Sequence, residues 1–191
     1  MPDARPEVLD FLLNRRSRPA KTLGAQAPDR AALETMLTAA ARTPDHGKLA
    51  PWRFVVLSDG DIRQGIADIA RSRMAEIGLD EAKIDKNANA FGQGGVIVAV
   101  ISSTKPSEKI PAWEQELSAG AVCLALLNAA LASGWGANWL TGPLARDAQF
   151  LSAALDCAAE EFVAGFIHIG DEQVTPTDRD RPDLAEIVEW R

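Results

Sequence analysis

Hydrophobic positions in this chain recur at two spacings, and each spacing predicts an element. In PEVLDFLLNRR, Val8, Leu9, Phe11 and Leu12 share a helical stripe, with Arg15 and Arg16 at its C-terminal end. A second helix is predicted from Asp29 as N-cap through RAALETMLTAAAR to the break at Thr43-Pro44, because a residue before proline is pushed out of helical geometry. RFVVLS is a short β-branched run and reads as a strand. DIRQGIADIARSRMAEIG and the polar DEAKIDKNANA have helical period. GVIVAVISS is continuously apolar between breakers, the pattern of a strand buried on both faces. PAWEQELSAGAVCLALLNAALASG is apolar nearly all round in its second half, which predicts a central helix packed on more than one side. GANWLTG gives a short strand or turn, ARDAQFLSAALDC a helix, and EEFVAGFIHIG a last core strand. The tail TPTDRDRPDLAEIVEW reads as an arm that docks elsewhere.

The resulting order, α-α-β-α-α-β-α-β-α-β, predicts a small sheet with helices on both faces. No repeat, low-complexity tract or linker interrupts it, so residues 1–191 are expected to form a single domain, with an arm from about 176 to 191. GQGG at 92–95 precedes a strand instead of opening a helix, so it fails as a dinucleotide fingerprint, and there is no phosphate-binding Walker loop. The 47% hydrophobic and 25% charged composition is that of an ordinary soluble globular protein. A net charge of −7 argues against general binding to nucleic acid or anionic membranes. The apolar run from Ala119 to Ala132 is too short to span a bilayer, and acids precede the first apolar stretch, unlike a signal peptide. A cytoplasmic location is expected, with Cys123 and Cys157 as buried reduced thiols.

Chemistry narrows the choice further. His168 falls on an alternating strand face with Phe162, Ala164 and Phe166 and reads as a core histidine with a backbone partner. His46 stands alone in the loop RTPDHGKLAPWRF, without the three or four convergent ligands a zinc site needs. No metal site and no nucleophile elbow is expected. Basic residues recur instead: Arg15, Arg16 and Ser17 after one helix, Arg42, His46 and Lys48 after another, Arg179 and Arg181 in the arm. Forked guanidiniums, a hydroxyl and an ammonium suit a phosphate, and Trp139 adds a flat apolar surface. A flavin mononucleotide is one of several ligands compatible with such donors.

Five stretches in register carry a resemblance: NRRSRP, ARTPDHGKLAPWRF, the helix PAWEQELSAGAVCLALLNAALASGWG, NWLTG, and RDRPDLAEIVEW. The chain resembles the FMN-dependent nitroreductase superfamily from about Leu9 to Trp190, most closely its short, single-domain YdjA-like branch. The resemblance implies an α+β, nitroreductase-like fold with a small central mixed sheet flanked by helices, in an intertwined homodimer with FMN sites at the subunit interface. Arg15, Arg16 and Ser17 would hold the FMN phosphate and ribityl chain, with added charge from Arg179 and Arg181. Arg42 and His46 would reach the FMN of the other subunit. Trp139, Leu140 and Thr141 would lie along the isoalloxazine ring, with Gly142 permitting close approach. Lys48 and the segment Ala129, Ala130, Leu131, Ala132, Ser133 and Gly134 would face the substrate or the nicotinamide nucleotide.

The implied activity is NAD(P)H-dependent reduction of nitroaromatic, quinone-like or related small acceptors by a ping-pong hydride transfer. Flavin N5 would be the redox centre, with no catalytic side chain. The alternative is a flavin-binding or sensing protein without such turnover. The family's common loop carries Ser and Asn where this chain has Asp45-His46 and Lys48, and often Glu where it has Thr141, so the substrate pocket differs from the common pattern.

Overall fold

The computed structural model describes residues 3–191; Met1 and Pro2, which open the acidic N-terminus and the expected domain, lie outside the described residues. Among the described residues, seven α-helices run Pro6–Asn14 (α1), Arg30–Ala40 (α2), Gly60–Glu76 (α3), Glu81–Asn89 (α4), Ala112–Ala132 (α5), Ala148–Leu155 (α6) and Leu184–Ile187 (α7). Four strands, Trp52–Leu57 (β1), Val96–Ser102 (β2), Gly136–Leu140 (β3) and Phe162–Gly170 (β4), form one sheet in the order β1-β2-β4-β3. Aspartates start most of the longer helices: Asp29, Asp59, Asp80 and Asp147 each accept from backbone N–H groups of the first turn. Such a cap contributes about 1 kcal/mol, so part of the acidic composition is spent on helix ends.

The expected mixed sheet is not found: β1 with β2, β2 with β4 and β3 with β4 all pair antiparallel. β2 and β3 do run parallel to each other, joined through α5 in the manner of a βαβ unit. The last strand, β4, inserts between them in the opposite sense, so every hydrogen-bonded neighbour is antiparallel. All seven residues of β2 are buried, because both faces of the sheet are covered. Ile97, Ala99, Ile101 and Phe166 face α3, α4 and α6, whereas Val98, Val100, Ile167 and Ile169 face α2 and α5.

The pairing of β2 with β4 slips between Val100 and Ile101, which face Gly165 and Val163 and leave Ala164 unpaired in register. Simple alternation therefore fails for β4. Ala164 packs on the α5 side, while Phe166 packs with Val163 on the other. The bulge has a use, since the Ala164 carbonyl accepts from Trp139 Nε1 at 3.3 Å. The indole thereby sits against Gly165 of β4, where a Cβ would lie 2.2 Å from Nε1 and 3.0 Å from Cys123 Sγ. Gly165→Ala should cost roughly 1–3 kcal/mol by overpacking, read as a lowered urea midpoint at unchanged slope.

α5 is long and apolar enough to cross a membrane by length and composition, longer than its apolar core alone suggests. Here it packs against the sheet and α2 through Ala119, Val122, Cys123, Leu126, Leu127 and Ala130. Burial pushes the Cys123 thiol up to about 12, and Cys157 is raised for the same reason, so both stay protonated and inert. Some apolar surface is left over. α1 has no buried residue, and Trp113, Leu117 and Leu124 of α5 are 63%, 66% and 44% exposed.

Candidate functional site

Past Asn14 the chain leaves the helix and runs along the edge of β3. Arg18 N donates to the Ala137 carbonyl at 2.8 Å, and Asn138 Nδ2 donates to the Arg18 carbonyl at 2.8 Å. Two distant stretches, RRS and NWLTG, are thereby placed side by side. Arg15 Nη2 donates to Ser17 Oγ at 3.2 Å, and Arg16 donates to the carbonyls of Ser17 at 3.1 Å and Thr177 at 3.3 Å. Arg18, in contrast, pairs with Glu172. Among the described residues neither Arg15 nor Arg16 has a carboxylate partner. Arg15 Nε is buried with no hydrogen-bond partner. Burial, then the charges of Arg181 and Arg16, hold the Arg15 guanidinium below its ordinary pKa. Clustered cations with an orphaned, buried donor fit a phosphate group, which supplies both charge and acceptors.

Arg15, Arg16 and Arg18 border a hollow of about 580 Å³ with Phe11, Trp135, Leu131 and Gly134, and with the carboxylates of Asp10, Glu172 and Asp178 at its rim. On the other side of β3 lies a cleft of about 370 Å³. Leu140, Thr141 and Gly142 form one wall, Phe91, Phe166 and Leu144 an apolar floor, and Lys21, Lys86, Asn87 and Asn138 the polar edges. Lys21 and Lys86 have no carboxylate partner among the described residues. The sequence reading missed these polar edges. The two lysines sit in a short turn and a polar helix whose pattern says only that they are exposed.

His168 also lines the cleft, 2% exposed, with Nδ1 donating to the Gln93 carbonyl at 3.3 Å. Burial pushes its pKa down to about 4, so it is a neutral hydrogen-bonding group at pH 7. Its charge is excluded from the fold but free in the unfolded chain. Stability should therefore be intact above about pH 6.5 and fall toward pH 4, by of order 3 kcal/mol at most. Denaturant titrations should show His168→Gln flattening that window.

The loop with Arg42, His46 and Lys48 packs at the opposite end of α5 and lines neither the hollow nor the cleft. Asp45 accepts from Leu49 N at 3.2 Å and Ala50 N at 2.8 Å, and Ser118 Oγ donates to the Pro44 carbonyl at 3.0 Å. Gly47, Lys48 and Ala50 have φ of 74°, 57° and 45°. The missing side chain of Gly47 makes room for Ile110, whose Cδ1 would lie 2.3 Å from a Cβ there. His46 Nδ1 is 2.7 Å from Glu114 Oε1 in the first turn of α5.

The remaining expected residues divide clearly. Leu140 and Thr141 face the cleft, whereas the Trp139 indole lies on the α5 side, leaving only its backbone beside the cleft wall. Of the segment 129–134, Leu131 and Gly134 border the hollow and Ala130 is buried; Ser133 Oγ is spent on the Ala129 carbonyl at 2.8 Å. Ala132 is exposed and Ala129 partly buried. Arg181 pairs with Asp178 at 3.0 Å near Arg15, and the exposed Arg179 touches Asp178 through its backbone N. Among the described residues no group of three or more His, Cys, Asp or Glu is arranged to hold a metal.

Residues 12–171 match the model of the Nitroreductase family. The chain is 32% identical over 185 residues to the Escherichia coli K12 protein named "Putative NAD(P)H nitroreductase YdjA", covering 96% of this chain and 99% of that one. A nitroreductase-like family protein from Bacillus cereus has the same fold, with a TM-score of 0.79 at 18% identity over 100% of this chain and 99% of the other. So does a Bacteroides fragilis nitroreductase with bound FMN, with a TM-score of 0.75 at 15% identity over 97% and 99% of the two chains. The family match and the identity over nearly the full length place this chain in the Nitroreductase family.

Proposed function

We propose that this protein is an FMN-dependent oxidoreductase that uses NAD(P)H to reduce nitroaromatic, quinone-like or related small acceptors, with two cofactor sites between the copies of a cytoplasmic homodimer. Residues 1–191 are taken as one domain with its arm from about 176. The observation that carries the reading is the cluster of Arg15, Arg16 and Ser17, neither arginine ion-paired and Arg15 Nε orphaned among the described residues, next to an apolar cleft. The names of the Escherichia coli and Bacteroides fragilis proteins support the choice of electron donor and of FMN as the anion.

In this reading Arg15, Arg16 and Ser17 hold the phosphate and Arg181 and Arg179 add charge from the arm. The backbone of Trp139, Leu140 and Thr141 orients the ring against the cleft wall, with Gly142 allowing close approach. Phe91 and Phe166 keep water from its floor, and Lys21 and Lys86 supply positive charge at its edge, where it favours an electron-rich ligand. Lys48 and the segment 129–134 are assigned to the incoming substrate or nucleotide. When bound, FMN supplies a hydride-accepting centre that serves donor and acceptor in turn, so no side-chain nucleophile is required.

Distance supports a second copy in this reading. Glu114, beside His46, and Leu131, beside Arg15, are about 25 Å apart along α5 at 1.5 Å per residue. His46 therefore sits at the opposite end of α5 from Arg15 of its own chain. An α5 of a second copy running antiparallel would bring its Arg42 and His46 to that Arg15, and the exposed Trp113, Leu117 and Leu124 give it a surface. Steady-state assays should show NAD(P)H oxidation accelerated by a quinone or nitroaromatic acceptor. FMN retention without any such acceleration would favour the sensing alternative instead.

A further inference from the structure

His46 is held more firmly than a surface histidine needs. Its loop is fixed by the Asp45 carboxylate, by Ser118 and by the seat of Ile110 under Gly47. Two non-glycine residues, Lys48 and Ala50, are kept in the left-handed region within that loop. Such conformations cost of order 1 kcal/mol each and persist where the surroundings over-determine them. The ring has its own restraint: Nδ1 lies 2.7 Å from Glu114 Oε1. A carboxylate accepts and does not donate, so Nδ1 must carry the proton and Nε2 is left free. The His46 side chain is 62% exposed and lines neither the hollow nor the cleft of its own chain, whereas the Glu114 side chain is only 34% exposed.

We propose that Glu114 is the positioning residue of His46: it fixes the Nδ1–H tautomer and the ring plane, so that Nε2 is presented to the ligand of the adjoining copy. This rests on the reading that His46 serves a cofactor site across the dimer. Glu114 touches neither cofactor nor acceptor and acts only through the imidazole. A purely structural role is the competing explanation, since a carboxylate in the first turn also favours the N-terminal end of α5.

The chain has only two histidines, which makes the ring directly observable. Side-chain 15N spectra of flavin-free protein at about pH 9, above the ordinary histidine range, should show His46 protonated at Nδ1, with buried His168 as internal reference. Glu114→Ala should move His46 toward the Nε2–H form, and Glu114→Gln, whose amide oxygen still accepts, should leave it at Nδ1–H. In the holoenzyme, Glu114→Ala should lower turnover roughly tenfold, equivalent to about 1.4 kcal/mol, and Glu114→Gln should recover most of it. In a His46→Ala background, Glu114→Ala should change turnover no further. An unchanged His46 spectrum in Glu114→Ala, or losses that simply add in the double variant, would overturn the proposal. Wild-type protein that holds no flavin would instead overturn the cofactor reading, while the tautomer spectra still decide whether Glu114 sets the ring.

Discussion

Arg15→Ala should purify as a folded protein that loses its flavin on dialysis, while wild type stays yellow. The guanidinium of Arg15 has no ion-pair partner among the described residues, has a buried unpaired Nε, and is crowded by Arg16 and Arg181. Each charge-assisted hydrogen bond to a phosphate is worth roughly 1.5–3 kcal/mol net. Removing them should weaken FMN binding by about one to two powers of ten, measured by fluorescence titration of the apoprotein. Arg15→Lys keeps the charge and loses the fork, so it should fall between. His46→Ala should behave in the opposite way, keeping flavin and turning over poorly. The reverse pattern would mean that the His46 loop, and not Arg15, anchors the phosphate.

Leu117→Asp should yield monomers that no longer retain FMN. Trp113, Leu117 and Leu124 recur at helical spacing on the uncovered face of α5. On α1, Val8, Leu9, Leu12 and Leu13 are exposed as well, and Trp190 of the arm is 91% exposed. Surfaces of this kind are normally covered, and an obligate pair of copies would bury well over ~2,000 Å². Burying an unpaired carboxylate in that interface costs several kcal/mol, equivalent to a loss of at least about a hundredfold in association. Sedimentation velocity with simultaneous flavin absorbance reads both consequences at once. A stable wild-type monomer that still binds FMN would contradict the two-copy site.

Most elements were legible because their periodicities are strong. β2 is apolar throughout and buried throughout, and Asp29 caps α2 as its position implies. What the sequence did not reveal depends on pairing across the chain. Nothing in the run FVAGFIHIG says that β4 inserts between β2 and β3, or that a bulge at Ala164 moves that residue to the other face. Trp139 looked like a platform for a planar ligand. Only the tertiary contact with Gly165 shows its indole turned toward α5. Lys21, Lys86 and Asn87 carry no periodic signal, so their convergence on the cleft emerges only where the turn at Ala20–Thr22, α4 and the end of β3 come together. The His46–Glu114 contact joins residues 68 positions apart and was equally hidden.

The central claim is that the Arg15 cluster and the adjoining cleft bind FMN in a site completed by a second copy. Its most direct test is to purify the protein, denature it, and chromatograph the released supernatant against flavin standards. One FMN per chain, in a dimer, is the expected result. FAD, or no flavin even after FMN has been offered to the folded protein, would contradict it.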